Sequence, residues 1–370
     1  MPFFVMFFLL IPLLLQGAEP DFYVWQRERD SAVKKAVRQY YATCSGKLYF
    51  LAGEMENDGK TVSFKPERYV DFSRSVPVVR IHIRHMRKSP RQLAGELAGL
   101  YQPWKRAGAF QIDLDAPESK IPYYQQLMKE LRSRLPGVQL SATVLPCHLR
   151  HTKEFRGLAK ACDFYVLQVH ALSNDGTRWF ILDKEIAFQA LARAKALKLP
   201  FKTALPFYCN TVRGGIHVEP DMNIVGALAK ESPEVIGFRL GVSNDEESLD
   251  LETALKVCRG EKYSPSIELA RQDLPNGMRH YYIVNKGYFP KTVTLDCDWK
   301  KAVSYLDLGT FNGARFSHDR RKLTLRLPPS GNMKPFFWIR SKESENIQSI
   351  TIQHRGNQCK KSVIFSARLP

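Results

Sequence analysis

The 370-residue chain contains no CxxC pair, no HxH and no HExxH, and its seven cysteines (Cys44, Cys147, Cys162, Cys209, Cys258, Cys297, Cys359) are odd in number and widely scattered. These absences leave a structural zinc site, a metal-dependent hydrolase and a disulfide framework without support. No metal and no cofactor is therefore expected. The chain also lacks any zinc-finger, RRM or helix-turn-helix signature. Its net charge of +18, from 55 Lys+Arg against 37 Asp+Glu, is spread along the whole sequence. It reads as a basic solvated surface able to adhere to anionic envelope components, with no specific nucleic-acid site. With 44% hydrophobic and 25% charged residues, the composition is globular and long enough for a full core.

No lysine or arginine precedes the apolar run Met1–Leu15, and no cysteine lies near its end, which argues against a lipoprotein. The run is too short for a comfortable membrane span and has the length of a signal h-region. Residues 1–18 are expected to be an export signal ending Gln16-Gly17-Ala18, with a retained N-terminal anchor as the alternative. Once processed, the protein would be periplasmic or extracellular, with no stable membrane span.

Eight apolar alternating segments follow: Phe22–Gln26, Lys47–Gly53, Pro77–Arg84, Ala109–Asp115, Val138–Leu145, Asp163–His170, Phe201–Tyr208 and Val235–Gly241. Helix-period sequence separates most of them. Ser31–Thr43 places Ser31 at the N-cap, Gln92–Ala107 follows a Ser89-Pro90 start, and Tyr123–Leu135 stops at Leu-Pro-Gly. Lys184–Leu199 and Leu249–Cys258 are the clearest remaining helices, while Gly53–Asp71 reads as a long loop. Alternation in this number predicts an α/β fold, a (β/α)8 TIM-type barrel over residues 20–262. Beyond Gly260 short alternating runs and Gly-containing turns predict an antiparallel β-sandwich over 263–340. Residues 341–370 read as a basic tail or an extra strand with one apolar patch at Val363–Phe365.

The fourth segment, Ala109-Phe-Gln-Ile-Asp-Leu-Asp115, carries the chemistry. Residues two apart share a strand face, so Gln111, Asp113 and Asp115 project together, opposite Phe110, Ile112 and Leu114. Barrel sites assemble at the C-terminal strand ends. Parity places Arg80, His82 and Arg84 on the polar face of strand three, Gln168 and His170 on strand six, and Arg239 on strand eight. Trp25, Glu54, Tyr208 and Asn210 come from strands one, two and seven. Asp113 is read equally as a structural acid neutralised by Arg80, His82 or Arg239. His82 and His85, three apart, would face opposite ways, and His148 and His151 are expected in an exposed loop. Trp25, Tyr165, Trp179 and Tyr208 are candidates for stacking on sugar rings, or core aromatics.

The string Tyr23-Val-Trp-Gln-Arg27, Gln111-Ile-Asp-Leu-Asp-Ala-Pro117, Leu140-Ser-Ala-Thr-Val-Leu-Pro146, Tyr165-Val-Leu-Gln-Val-His170, Ala204-Leu-Pro-Phe-Tyr208 and Gly237-Phe-Arg-Leu240 together resemble the bacterial DUF3142 family from about Phe22 to Gly260. That resemblance implies a barrel and names no reaction. Strand four also resembles the DxxDxDxE strand of family 18 chitinase-type hydrolases. There Asp113 and Asp115 match the last two Asp, but Phe110 and Pro117 occupy the first-Asp and donor positions, and Glu118 falls one residue late.

The leading expectation is an exported glycoside-hydrolase-like barrel acting on a carbohydrate polymer. Asp115 would be nucleophile or stabiliser and Asp113 its tuner. Glu118, Asp175 or Glu54 would donate the proton. Trp25, Glu54, His82, Gln168, His170, Tyr208 and Arg239 would bind the sugar. The alternative is a non-catalytic carbohydrate-binding or envelope protein with a degraded site.

Overall fold

The computed structural model describes residues 19–261, except 214, 215, 244 and 246, and beyond them the backbone of strands between 267 and 362. The expected export signal lies outside the described residues, and so do Cys297 and the Val363–Phe365 patch. No helix among the described residues is long and apolar enough to cross a membrane.

Eight parallel strands form a closed barrel: β1 (Asp21–Val24), β2 (Leu48–Met55), β3 (Ser75–Ile81), β4 (Ala109–Leu114), β5 (Gln139–Val144), β6 (Phe164–Gln168), β7 (Phe201–Pro206) and β8 (Val235–Phe238). Each pairs with its neighbours in chain order, and β1 pairs with both β2 and β8, so no edge remains in the ring. A short strand, Thr61–Ser63, runs antiparallel to the end of β2. It occupies the stretch read from the sequence as a long loop.

The strands are buried on both faces, as a barrel ringed by helices requires. Inward-facing Tyr23, Tyr49, Val76, Val78, Ala109, Val166, Ala204 and Ile236 fill the interior, with Trp25, Phe164 and Phe238 packed against them. On the outer face, the rings of Tyr101 and Phe110 lie 5.1 Å apart and those of Phe155 and Tyr165 5.0 Å apart. Each fully buried side chain of this size contributes roughly 1.5–3 kcal/mol.

Among the described residues there are seven α-helices: α1 (Ser31–Thr43), α2 (Pro90–Tyr101), α3 (Ile121–Arg134), α4 (Thr152–Lys160), α5 (Lys184–Leu197), α6 (Met222–Glu231) and α7 (Leu251–Cys258). The N-cap of α1 is Asp30, not Ser31: the Asp30 carboxylate accepts from the Val33 amide at 3.0 Å. The Ser89 cap of α2 is as expected, in a reciprocal capping box with Gln92 and with Pro90 in the first turn. After α3 the chain turns at Gly137, whose φ of +78° is a left-handed conformation that a Cβ would penalise. Helices α4 and α6 were not singled out by the sequence pattern.

The chain divides into two compact units, one comprising residues up to 206, 221–240 and 255–261, the other 207–220, 241–254 and 262–370. The second unit therefore takes in two segments that the sequence assigned to the barrel domain. Within it, Asn210–Val212 pairs antiparallel with Ile216–Val218, and Tyr208 bridges Ser248. Its later strands form an antiparallel sheet from Ile267–Asp273, Met278–Asn285, Lys334–Arg340 and Tyr305–Asp307. A second sheet is built from Lys291–Asp296, Lys322–Leu327 and Arg315–Phe316. Ser349–His354 and Asn357–Ser362 pair as a hairpin, so part of the expected tail is strand. The side chains of these strands, and with them the expected packing as a β-sandwich, lie outside the described residues.

Candidate functional site

The C-terminal mouth of the barrel opens into a cleft of about 750 Å³ lined by Arg27, Glu54–Asp58, Arg80–Arg84, Asp113 and Asp115. Its floor is a lateral row. Glu54 of β2 pairs in register with Arg80 of β3, and Arg80 with Asp113 of β4. In parallel strands such partners share a face, so acid, base and acid point together into the barrel.

Glu54 is buried, and Arg27 grips it through Nε–Oε2 at 2.6 Å and Nη2–Oε1 at 3.2 Å, a bidentate geometry. Arg80 reaches the same carboxylate at 3.5 Å. Glu54 thus serves as the anchor of two arginines. The Thr143 hydroxyl favours the ionised form of Asp113. Thr143 in turn accepts from Gln111 Nε2 at 3.0 Å, and Gln111 also donates to the Tyr23 hydroxyl at 2.6 Å. This buried chain links Thr143, Gln111 and Tyr23 across the barrel interior.

Loss of hydration, reinforced by the charge of Asp115, raises the Asp113 pKa to about 7, against the lowering pull of Thr143 and Arg80. Asp115 sits further out. Desolvation raises it too, while the Arg80 guanidinium draws it back. The expectation that Asp113 is neutralised by Arg80, His82 or Arg239 does not hold, because Arg80 is committed to Glu54 and desolvation dominates.

The other expected site residues are distributed unevenly. Trp25 stands at the mouth, its ring 5.5 Å from Tyr23 and 5.2 Å from Phe238. His170 is buried with its ring 5.4 Å from that of Phe238, and burial lowers its pKa to about 3, keeping it neutral. Gln168 donates to the His170 carbonyl at 3.1 Å. His82 lines the cleft, but β3 ends at Ile81. His82 instead caps a 3-10 turn, its Nδ1 accepting from the Arg84 amide at 3.2 Å, so face alternation no longer applies to His82 and His85. His85 Nε2 meets the Glu56 carbonyl at 2.9 Å. Arg239 follows inward-facing Phe238 and is not among the residues lining the cleft. Tyr208 belongs to the second unit.

Two proton-donor candidates are otherwise engaged. Glu118 Oε1 lies 3.2 Å from His151 Nε2 and 3.5 Å from Arg150 Nε, and Glu118 does not line the cleft. Asp175 accepts from the Thr177 hydroxyl and from the amides of Thr177 and Arg178, which lower its pKa to about 2. An acid so ionised cannot deliver a proton near neutrality. The sequence reading missed His148, expected in an exposed loop yet fully buried. The one signal for it was its position just beyond Pro146, at the end of strand five.

The fold and mouth define a closed TIM-type (β/α)8 barrel with a carboxylate pair at the C-terminal end of its fourth strand. Residues 73–234 match the family described as a domain of unknown function, DUF3142, so the resemblance carried by the motifs is borne out there. No curated protein matches the chain. Among solved structures, it is similar to a chitinase from Chromobacterium violaceum ATCC 12472, with 12% identity, a TM-score of 0.48, and coverage of 66% of this chain and 100% of that one. It is also similar to the catalytic domain of a mannanase from Streptomyces sp. SirexAA-E, with 13% identity, a TM-score of 0.45, and coverage of 66% and 84%. The spore cortex-lytic enzyme SleL of Bacillus megaterium QM B1551 is similar with 9% identity, a TM-score of 0.44, and coverage of 84% and 65%.

Proposed function

We propose that this protein is an exported barrel hydrolase of glycosidic bonds in a carbohydrate polymer, with Asp113 and Asp115 as its working carboxylates. The observation that carries this reading is the pair itself. Asp113, on the inward face of β4, and Asp115, one residue past its end, both line the cleft, and Asp113 has its pKa raised to about 7.

Asp113, partly protonated at neutral pH, is the group able to give a proton to the leaving oxygen. Asp115, more open to solvent and drawn toward its ionised form by Arg80, is the nucleophile or base. Trp25 offers a ring face at the mouth for a sugar. Residues 1–18 would direct export, and the later antiparallel strands would form an accessory β-sandwich. The engagement of Glu118 and Asp175 favours one other reading, a barrel that binds its polymer without cutting it.

A screen of polysaccharides with wild type, Asp115→Asn and Asp113→Asn separates the two. Reducing ends released by wild type and abolished in Asp115→Asn support hydrolysis. Polymer bound but intact, equally in all three, would hand the function to binding.

A further inference from the structure

His148 lies beyond β5 at the start of a 3-10 turn, Pro146–Arg150, and is completely buried. Both ring nitrogens are in use. Nε2 meets the carbonyl oxygen of Ala116 at 2.7 Å, and Nδ1 meets the backbone amide of Leu145 at 3.2 Å. A carbonyl only accepts and an amide N–H only donates, so the contacts dictate the neutral tautomer with its proton on Nε2. The imidazole thus joins two loops: the one leaving β4, whose residue before Ala116 is Asp115, and the one leaving β5.

We propose that His148 is a positioning residue for Asp115: its neutral ring clamps the Ala116 carbonyl to the β5 loop and so fixes the direction in which the Asp115 carboxylate enters the cleft. The inference rests on the reading of Asp115 as a working carboxylate. Nothing else holds the Ala116 oxygen among the hydrogen bonds of the described residues, and Ala116 is itself buried. The charged or titratable groups acting on His148 are Glu118 and Asp115 from the β4 loop and His151 from its own turn, with Arg150 bound to Glu118 beside it. Protonation at Nδ1 would set two donors against each other at Leu145 and open the clamp on the β5 side.

The two amide side chains split the clamp. Glutamine can place its nitrogen near the Nε2 position and keep the bond to Ala116, whereas asparagine can mimic only Nδ1 and keep Leu145. We expect 15N spectra of the wild-type imidazole to show the Nε2–H form. Carboxyl 13C titration should find Asp115 unchanged in His148→Gln and moved down toward the ordinary carboxylate range in His148→Asn. With a polymer that wild type cleaves, His148→Asn should lose kcat by about 100-fold with little change in KM, and His148→Gln should largely restore it.

An Nδ1–H tautomer in wild type, or an unmoved Asp115 titration in folded His148→Asn, would overturn the proposal. Should His148→Asn fail to fold, the wild-type tautomer and the Gln variant still decide, a displaced Asp115 in His148→Gln counting against it. The spectroscopic readings require no turnover. A protein that cleaves no polymer would remove the hydrolase reading and leave the clamp to stand or fall by itself.

Discussion

Arg80 stands in register beside Asp113 but gives its ion pair to Glu54, 3.5 Å away on the opposite neighbouring strand. One guanidinium therefore lowers two acids at a distance while being held by a third. The arrangement keeps Asp113 desolvated and short of full neutralisation, which leaves it titratable near neutral pH.

Replacing Arg80 with methionine removes a cation that opposes the raised pKa of both Asp113 and Asp115. Both carboxyls should titrate at higher pH, read by 13C NMR on the folded variant. If hydrolysis is observed, the alkaline limb of its pH profile should move upward with them. Glu54 keeps Arg27, so the variant should still fold.

Asp113→Asn should stabilise the fold at pH 8 and leave it unchanged at pH 4. A carboxyl raised in the folded state costs stability when ionised, so its penalty is absent below the unfolded value and grows as pH rises to about 7. Allowing for partial exposure, the gain at pH 8 should be on the order of 2 kcal/mol, measured by urea unfolding. The sequence reading implied the reverse, a loss through a stranded cation. That argument fails because Arg80 retains Glu54.

His170 works in the opposite direction. Its folded pKa is depressed to about 3, so stability is present above its unfolded value and falls with decreasing pH between about 6.5 and 3. The slope approaches about 1.4 kcal/mol per pH unit. Across pH 4 to 6.5 this opposes the Asp113 contribution, and wild-type stability should be nearly flat. His170→Gln should unmask a gain in stability toward acid, whereas Asp113→Asn should unmask a loss.

At the other end of the barrel, Lys202 Nζ lies 2.7 Å from both Asp21 Oδ2 and Glu234 Oε2, with the Lys202 and Asp21 side chains almost wholly buried. Lys202→Met would strand the Asp21 carboxylate and should cost about 3–5 kcal/mol in urea unfolding. Adding Asp21→Asn should recover much of that loss. Equal stability of the single and double variants would show that the pair is not coupled.

The eight strands were legible because alternation and helix spacing are local properties, and β4 begins at Ala109 as its pattern suggests. Strand ends were not. Ile81-His82-Ile83-Arg84 alternates like a strand, yet His82 accepts the Arg84 amide and bends the chain into a turn. The inward direction of Gln111 and Asp113 followed from parity alone. The environment of the acids did not, since it depends on Glu54 taking Arg80 and on His148 reaching back to Ala116, contacts between residues 26 and 32 positions apart. Composition could not distinguish Glu118, tied to Arg150, from a free donor.

The ring closes through only two registered residue pairs between β1 and β8, Asp21 with Ile236 and Phe22 with Gly237, whereas β2 and β3 share seven. The joined segments are more than 200 residues apart in the chain. Every other strand can find its partner soon after it is made, but this last seam must wait for residue 238 and bear the entropy of the largest loop. Until then the unfinished sheet presents two bare edges, each able to pair with another chain. The last strand of the barrel thus determines when the nascent protein stops being a hazard to its neighbours.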